Sequence, residues 1–229
     1  MNQEGRAAVD VNVSSPIEHH SPEVLIFQCS TTGATGKYGP LSNYYLLEKP
    51  FKYRIAFGHM KGTVITCKHS NKPLHCTKAS VFNDPENFAE INSQDENPGN
   101  CQKLGRACKG FNQGIWDEKV NDVIDDILFQ KFSSDSALTK LLLSTGDAFL
   151  GNANTNKDWG IGLTPDDPDV MNMECWTCDN IQGKSLMRVR EKLRKAPHEQ
   201  QSRKQQIDKC KLISAAAVAV VALALAVKR

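Results

Sequence analysis

The sequence predicts an α+β fold, a mostly helical single domain with a small sheet over residues 24–196. Short apolar runs rich in β-branched and aromatic residues cluster in the first third of the chain. From Lys78 onward, apolar residues recur at helical spacing instead. A length of 229 residues, with 40 % hydrophobic and 24 % charged, suits one globular domain with appendages and excludes wholesale disorder.

Residues 1–23 are polar, contain Pro16 and His19-His20, and show no period, so they read as a flexible arm. Val24-Leu25-Ile26-Phe27 is the first strand candidate. Thr31 to Pro40, with Gly33, Gly36 and Gly39, reads as a loop. Pro50 to Phe57 and Gly62 to Thr66 read as a strand pair. Asn92 to Asn100 is polar with a Pro98-Gly99 turn signal, hence a surface loop. Between Asp117 and Phe132, Val120, Val123, Ile124, Ile127, Leu128 and Phe132 form one apolar helical stripe that must bury against something. Ser134-Asp135-Ser136 offers the N-cap of a second helix through Leu138, Leu141, Leu142 and Leu143, which Gly146 can close. A third helix follows Gly183 through Leu186, Met187, Val189, Arg190 and Leu193, and Pro197 ends it.

Residues 197–211 form a basic linker, and residues 212–229 a C-terminal apolar segment. Leu212 to Val227 is broken only by Ser214 and has Lys209, Lys211, Lys228 and Arg229 at its flanks. As a helix it would reach roughly 24 Å, short of the ~30 Å hydrocarbon core, although basic flanks can snorkel to headgroups. A tail anchor holding a cytoplasmic domain at an organelle membrane is the expectation; an Ala-rich helix docked on the domain is the alternative.

The formal net charge of +2 conceals an asymmetry. Residues 1–183 carry a net −7 and residues 184–211 a net +7. An acidic body argues against direct sequence-specific nucleic-acid binding, which needs clustered Lys and Arg on the phosphates. The eight cysteines follow a start without an apolar leader, so they are expected to be reduced thiols. Cys175-Trp176-Thr177-Cys178 has the C-x-x-C spacing of a metal or dithiol site, but Cys67, Cys76, Cys101 and Cys108 lack the spacing of obvious partner ligands. Ordinary half-buried cysteines are the favoured reading, with no metal or cofactor.

The chain contains no P-loop, G-x-G-x-x-G, H-E-x-x-H or G-x-S-x-G. What stands out is an ordered series: Leu41-Ser42-Asn43-Tyr44-Tyr45, then Lys78-Ala79, Leu104-Gly105-Arg106, Trp159-Gly160-Ile161-Gly162-Leu163, and Asn180-x-x-Gly183-Lys184-x-Leu186-Met187-x-Val189-Arg190. A Trp between polar residues and glycines offers a flat face where backbone can approach a ligand, or simply anchors a turn.

In this order and spacing the series resembles the NADAR family, also called YbiA-like or riboflavin-intermediate N-glycosidases, over about residues 26–195. The resemblance implies a YbiA-like fold and hydrolysis of the N-glycosidic bond in a phosphoribosyl or ADP-ribosyl compound, either a riboflavin-pathway intermediate or an ADP-ribosylated base. It implies that Lys78 and Lys184 or Arg190 hold phosphates, that Trp159 stacks on the base with Gly160 and Gly162 also at the ligand, and that Asn43 and Asn180 hold the ribose or base edge. The reaction passes through an oxocarbenium-like sugar, so it needs a carboxylate, an acid for the leaving nitrogen and cations for phosphate. Both positions where the family carries carboxylates are amides here, Asn71 and Asn152, and a neutral amide can neither balance the cation nor deprotonate water. Asp158 beside Trp159, or else Asp147, is the candidate replacement carboxylate, and His75 near Lys78 the candidate acid or base. Three readings stay open: a hydrolase with relocated acids, a catalytically silent ADP-ribose or phosphoribosyl binder tethered to a membrane, and an adaptor with a vestigial pocket.

Overall fold

The computed structural model describes residues 24–27, 50–93 and 98–196. The arm 1–23, the loop 31–40, Asn43, the basic linker 197–211 and the apolar segment 212–229 lie outside the described residues. Among the described residues no helix is long and apolar enough to cross a membrane.

Strand β1 (Val24–Phe27) lies parallel to strand β4 (Phe149–Asn152), pairing Val24 with Phe149 and Phe27 with Asn152. Strands β2 (Phe51–Arg54) and β3 (Val64–Cys67) form a separate antiparallel hairpin. On the hairpin Phe51, Tyr53, Ile65 and Cys67 face inward while Lys52, Arg54, Val64 and Thr66 face out, the period-2 alternation of a one-faced sheet. The expected hairpin is present. The small sheet nevertheless divides into two pairs, and one of them recruits a strand from the second half of the chain.

Helix α1 (Asn71–Val81) begins seven residues before Lys78, where the sequence shows no apolar stripe. Pro73 falls in its first turn, where a missing N–H has no intrahelical partner to lose. Helices α2 (Pro85–Ser93) and α3 (Pro98–Arg106) pack on α1 and on each other. They advance into the stretch expected to be loop, and Pro98 opens α3 at the position where proline's fixed φ suits a helix start.

Helix α4 (Gln113–Ser133) organises the rest. Asn112 caps it, its Oδ1 accepting from the Ile115 amide at 3.1 Å. Val120, Val123 and Ile127 pack into one core with the β2–β3 hairpin, α1 and α2; Ile124, Leu128 and Phe132 pack into a second with helix α5 (Ser136–Ser144), β4 and helix α6 (residues 181–196). Each buried side chain of this kind stabilises the fold by roughly 1.5–3 kcal/mol. Asp135 caps α5, accepting from Ala137 N at 2.7 Å and Leu138 N at 3.2 Å, and Gly146 follows with φ +55°. Asp125 pins α6 to α4, accepting from Ser185 and from both Nε and Nη2 of Arg188. Trp159 and Ile181 touch both cores, so the seam between them runs beneath the segment that the sequence marks as functional.

Cys67, Cys76, Cys101 and Cys108 are buried thiols outside any disulfide, and Cys175 and Cys178 half-buried ones. Cys175 closes a short 3-10 turn, and Asn172 Nδ2 lies 3.3 Å from its sulfur. Among the described residues no group of His, Cys, Asp and Glu is arranged to hold a metal ion.

Candidate functional site

A cleft of about 740 Å³ opens along the seam. One wall comes from α1, the end of α3 and the start of α4; the other comes from the end of β4, the loop after it and the start of α6.

On the first wall Lys78 is nearly buried. Its ammonium sits 3.7 Å above the Phe111 ring centroid and 5.8 Å from that of Trp116. Phe82 braces both rings, edge-on to Phe111 at 5.2 Å and tilted to Trp116 at 6.4 Å. Burial lowers the Lys78 pKa, and the Cys108 thiol pulls weakly the other way. A desolvated cation between aromatic faces is primed for an anion. Arg106 lines the same wall.

His75, one turn before Lys78, stands on Gly105, and any side chain at position 105 would occupy the space of the imidazole ring. Leu104-Gly105-Arg106 therefore has a physical reason: the glycine admits the ring and the arginine reaches the cleft. Burial, then Lys78 and Arg106, lower the His75 pKa to about 3, so the ring is neutral at physiological pH. It cannot supply a proton as a general acid there, although a neutral ring can still hydrogen-bond. Its Nδ1 is sealed without a partner among the described residues, as is Ser70 Oγ at the mouth of α1.

The second wall is stitched together by amides. Asn152, fully buried, donates from Nδ2 to the Trp159 carbonyl at 3.0 Å and to Gln182 Oε1 at 3.2 Å. Asn156 Oδ1 accepts from the amides of Asp158 and Trp159, both at 3.1 Å, which turns the chain so that these two residues line the cleft. Gly160 and Gly162 serve this path. A side chain on Gly160 would strike the Asn154 carbonyl, and Gly162 adopts φ +90° against Thr177. The two walls thus bring together Asn71, His75, Lys78, Asn152, Asp158 and Trp159.

A model of the NADAR domain matches residues 31–194. The chain belongs to the NADAR family. Among its relatives, N-glycosidase R617 of Acanthamoeba polyphaga mimivirus is 35 % identical over 115 residues, 50 % of this chain and 67 % of that protein. Protein irg-1 of Caenorhabditis elegans is 30 % identical over 158 residues, covering 66 % of this chain and 74 % of its own. The NMR structure of the E. coli protein YbiA superposes with a TM-score of 0.54 at 24 % identity, covering 79 % of this chain and 91 % of that one, and so shares the fold.

Other residues expected at the ligand lie elsewhere in this NADAR domain. Asn180 takes φ +49° just before α6, where its Oδ1 accepts from Asn152 N at 3.1 Å and its Nδ2 donates to the Leu150 carbonyl at 2.9 Å. It acts as a side-chain strand partner for β4, with both polar atoms engaged on that strand's backbone, and it is absent from the cleft lining. Arg190 is buried and donates from Nη1 to Thr145 Oγ1 and the Ala148 carbonyl, both at 2.9 Å, which turns its guanidinium away from the cleft. Lys184 is exposed on α6 and is absent from the cleft lining, as are Gly160 and Gly162, whose place is in the backbone path beneath Trp159. Asp147 pairs with Arg194 at 2.6 Å on the surface.

Conversely, Arg106, Phe111, Trp116, Asp117, Asp179 and Gln182 line the cleft without having been singled out as site residues. Arg106 was visible as the end of Leu-Gly-Arg and Gln182 as an unspecified place in the Asn180 motif. Phe111 and Trp116 carried no signal, because an aromatic cage around a lysine has no fixed sequence spacing.

Proposed function

We propose that this NADAR member hydrolyses the N-glycosidic bond of a phosphoribosyl or ADP-ribosyl compound, either a riboflavin-pathway intermediate or an ADP-ribosylated base. The supporting observation is one cleft that offers Lys78 and Arg106 for phosphate, the Trp159 indole for the base, and the Asp158 carboxylate beside it. Similarity to a protein named N-glycosidase supports the reaction class. In the reaction, water adds to C1′ of the ribose and the N-glycosidic electron pair leaves with the base nitrogen. Asp158 accepts the proton of the water, which returns to the departing nitrogen. The neutral His75 hydrogen-bonds the ligand. The sugar's developing positive charge is balanced by Asp158, with Asp117 and Asp179 on the same walls.

Binding without turnover is the second reading, favoured by Asn71 and Asn152 at the family's carboxylate positions. One series of measurements separates them: calorimetry of the full chain with ADP-ribose and ribose 5-phosphate, and release of base from N-ribosyl phosphates in the same samples. The hydrolase reading expects release, and a loss of 100-fold or more in Asp158→Asn with ligand affinity retained, in line with the ~10²–10⁴ of acid–base groups. Binding without release in the native chain, together with release gained by Asn71→Glu, would establish a binder. Absence of both would remove the ligand from the account.

A further inference from the structure

We propose that helix α6 presents a basic face to an anionic lipid bilayer, on which the folded domain rests with its cleft left open. The inference is independent of the N-glycoside reading, because it concerns a surface outside the cleft.

On the inner side of α6, Ser185, Leu186, Val189, Arg190 and Leu193 are buried. On the outer side Lys184, Arg188, Lys192 and Lys195 are exposed, and none of them lines the cleft. At about 100° and 1.5 Å per residue, these four fall within about 80° of the helix circumference and along about 17 Å of its length. Glu191 shares the stripe, but Arg194 pairs with it at 2.7 Å, and Asp125 holds Arg188 at 2.6 Å. Lys184, Lys192 and Lys195 form no ion pair among the described residues, and the Lys192 ammonium stands 4.0 Å from the Phe129 ring centroid instead.

A polar outer face is ordinary for a surface helix; its sign and its setting single this one out. Residues 1–183 carry a net −7, so a negatively charged surface attracts α6 while it repels the rest of the domain, which fixes the orientation. The chain leaves α6 into residues 197–211, where Arg203, Lys204, Lys209 and Lys211 outnumber Glu199 and Asp208, and then into the apolar run Leu212 to Val227. A nucleic acid could meet the lysines, but only a bilayer can also take up that run. Fully extended, the linker reaches up to ~50 Å, ample for the stripe and the apolar run to meet one surface.

The test uses the full chain with vesicles of phosphatidylcholine, with and without phosphatidylserine, at physiological ionic strength. An amine-reactive ester labels the lysines, and mass spectrometry reads each site. On phosphatidylserine vesicles, labelling of Lys184, Lys192 and Lys195 should fall about fivefold or more, in line with the attraction of a lysine to an anionic leaflet. Lys119 on α4, Lys140 on α5 and Lys157 after β4 are also exposed and should change less than about twofold. Lys184→Gln, Lys192→Gln and Lys195→Gln combined should reduce the preference for phosphatidylserine over phosphatidylcholine vesicles by about 100-fold, some fivefold per lysine. The same change at 119, 140 and 157 removes equal charge and should reduce it less than about threefold. Comparing the two lipid compositions cancels any insertion of residues 212–227, and both variants should melt with the native chain because all six sites are exposed. Equal protection of the two sets, protection of neither, or equal losses in the two variants overturns the α6 face. Protection of the stripe by single-stranded RNA as strong as that by vesicles assigns it to nucleic acid and overturns it as well. Either failure leaves the N-glycoside reading standing.

Discussion

On the β4 side of the cleft Asn152, Asn156 and Asn180 direct their amides at backbone groups, whereas on the α1 side Ser70 Oγ and His75 Nδ1 have no partner among the described residues and Lys78 lies against aromatic faces. The difference follows from the backbone beneath each wall. A helix satisfies its own N–H and C=O groups, so the side chains of α1 are not drawn into pairing its backbone. The loop from Ala153 to Gly162 has no ladder, and buried backbone must be paired. Its polar residues are therefore absorbed in building the wall, and Asp158 and Trp159 reach the cleft because others hold the turn. A motif rich in Asn and Gly on an irregular segment is in this case chiefly a record of backbone needs.

That contrast can be broken by substitution on either side. The largest effect is expected from Asn180→Ala, which leaves the Asn152 amide and the Leu150 carbonyl without this side-chain partner and puts alanine, which tolerates the left-handed region less well than asparagine, at φ +49°. Chemical denaturation should show a loss of about 4 kcal/mol. A loss under 1 kcal/mol would mean that the β4 wall is not held as described.

Acid should weaken the opposite wall. His75 has its folded pKa lowered to about 3 and His69 to about 4, in both cases chiefly by burial. The unfolded chain takes up a proton near pH 6.5 while the folded one stays neutral. The stabilising contribution is thus present above pH 6.5 and is lost as pH falls toward the folded values. For His75 the slope is at most about 1.4 kcal/mol per pH unit, reaching roughly 3 kcal/mol at pH 4. Denaturation midpoints of the native chain and His75→Leu between pH 7 and 4.5 check this. The variant should fall less steeply, and parallel curves would contradict a desolvated neutral ring.

Lys78→Met keeps the aromatic contacts and removes the charge. Ribose 5-phosphate affinity should drop about tenfold with the melting temperature unchanged or raised, since a partly desolvated cation is lost. Unchanged affinity would move the phosphate to another part of the cleft. The smallest effect belongs to the pin behind both walls: Asp125→Ala frees Arg188 and Ser185 at a half-exposed site and should cost about 1 kcal/mol of stability, with ligand affinity nearly intact.

Much of the fold was legible because local rules and tertiary demands agree there. The α4 stripe, the Asp135 cap, Gly146 after α5, the leucines and valine of α6 and the alternation in β2 and β3 are all periodic or positional signals. Helix α1 was not legible, because Leu74, Cys76, Thr77, Ala79 and Ser80 are buried on nearly all its sides and leave no stripe to read. The pairing of β1 with β4 was equally hidden. Parallel strands have no turn between them to announce the pair, and this register spans 125 residues, from Val24 to Phe149. In the site, Lys78, Trp159 and Asp158 could be picked from motif positions, but a motif does not say which of its residues face inward. Asn180 and Arg190 are as much part of the pattern as Trp159, and they stabilise the scaffold.

Length, patterning and the ordered motifs by themselves determined the class of fold and its family, because these depend on periodicities and spacings written along one dimension. Tertiary structure alone decided which polar groups are already paired. Lys78 becomes a caged cation and His75 a neutral ring only when α1, α3 and α4 meet, since desolvation and hydrogen-bond satisfaction are properties of neighbours in space rather than in sequence.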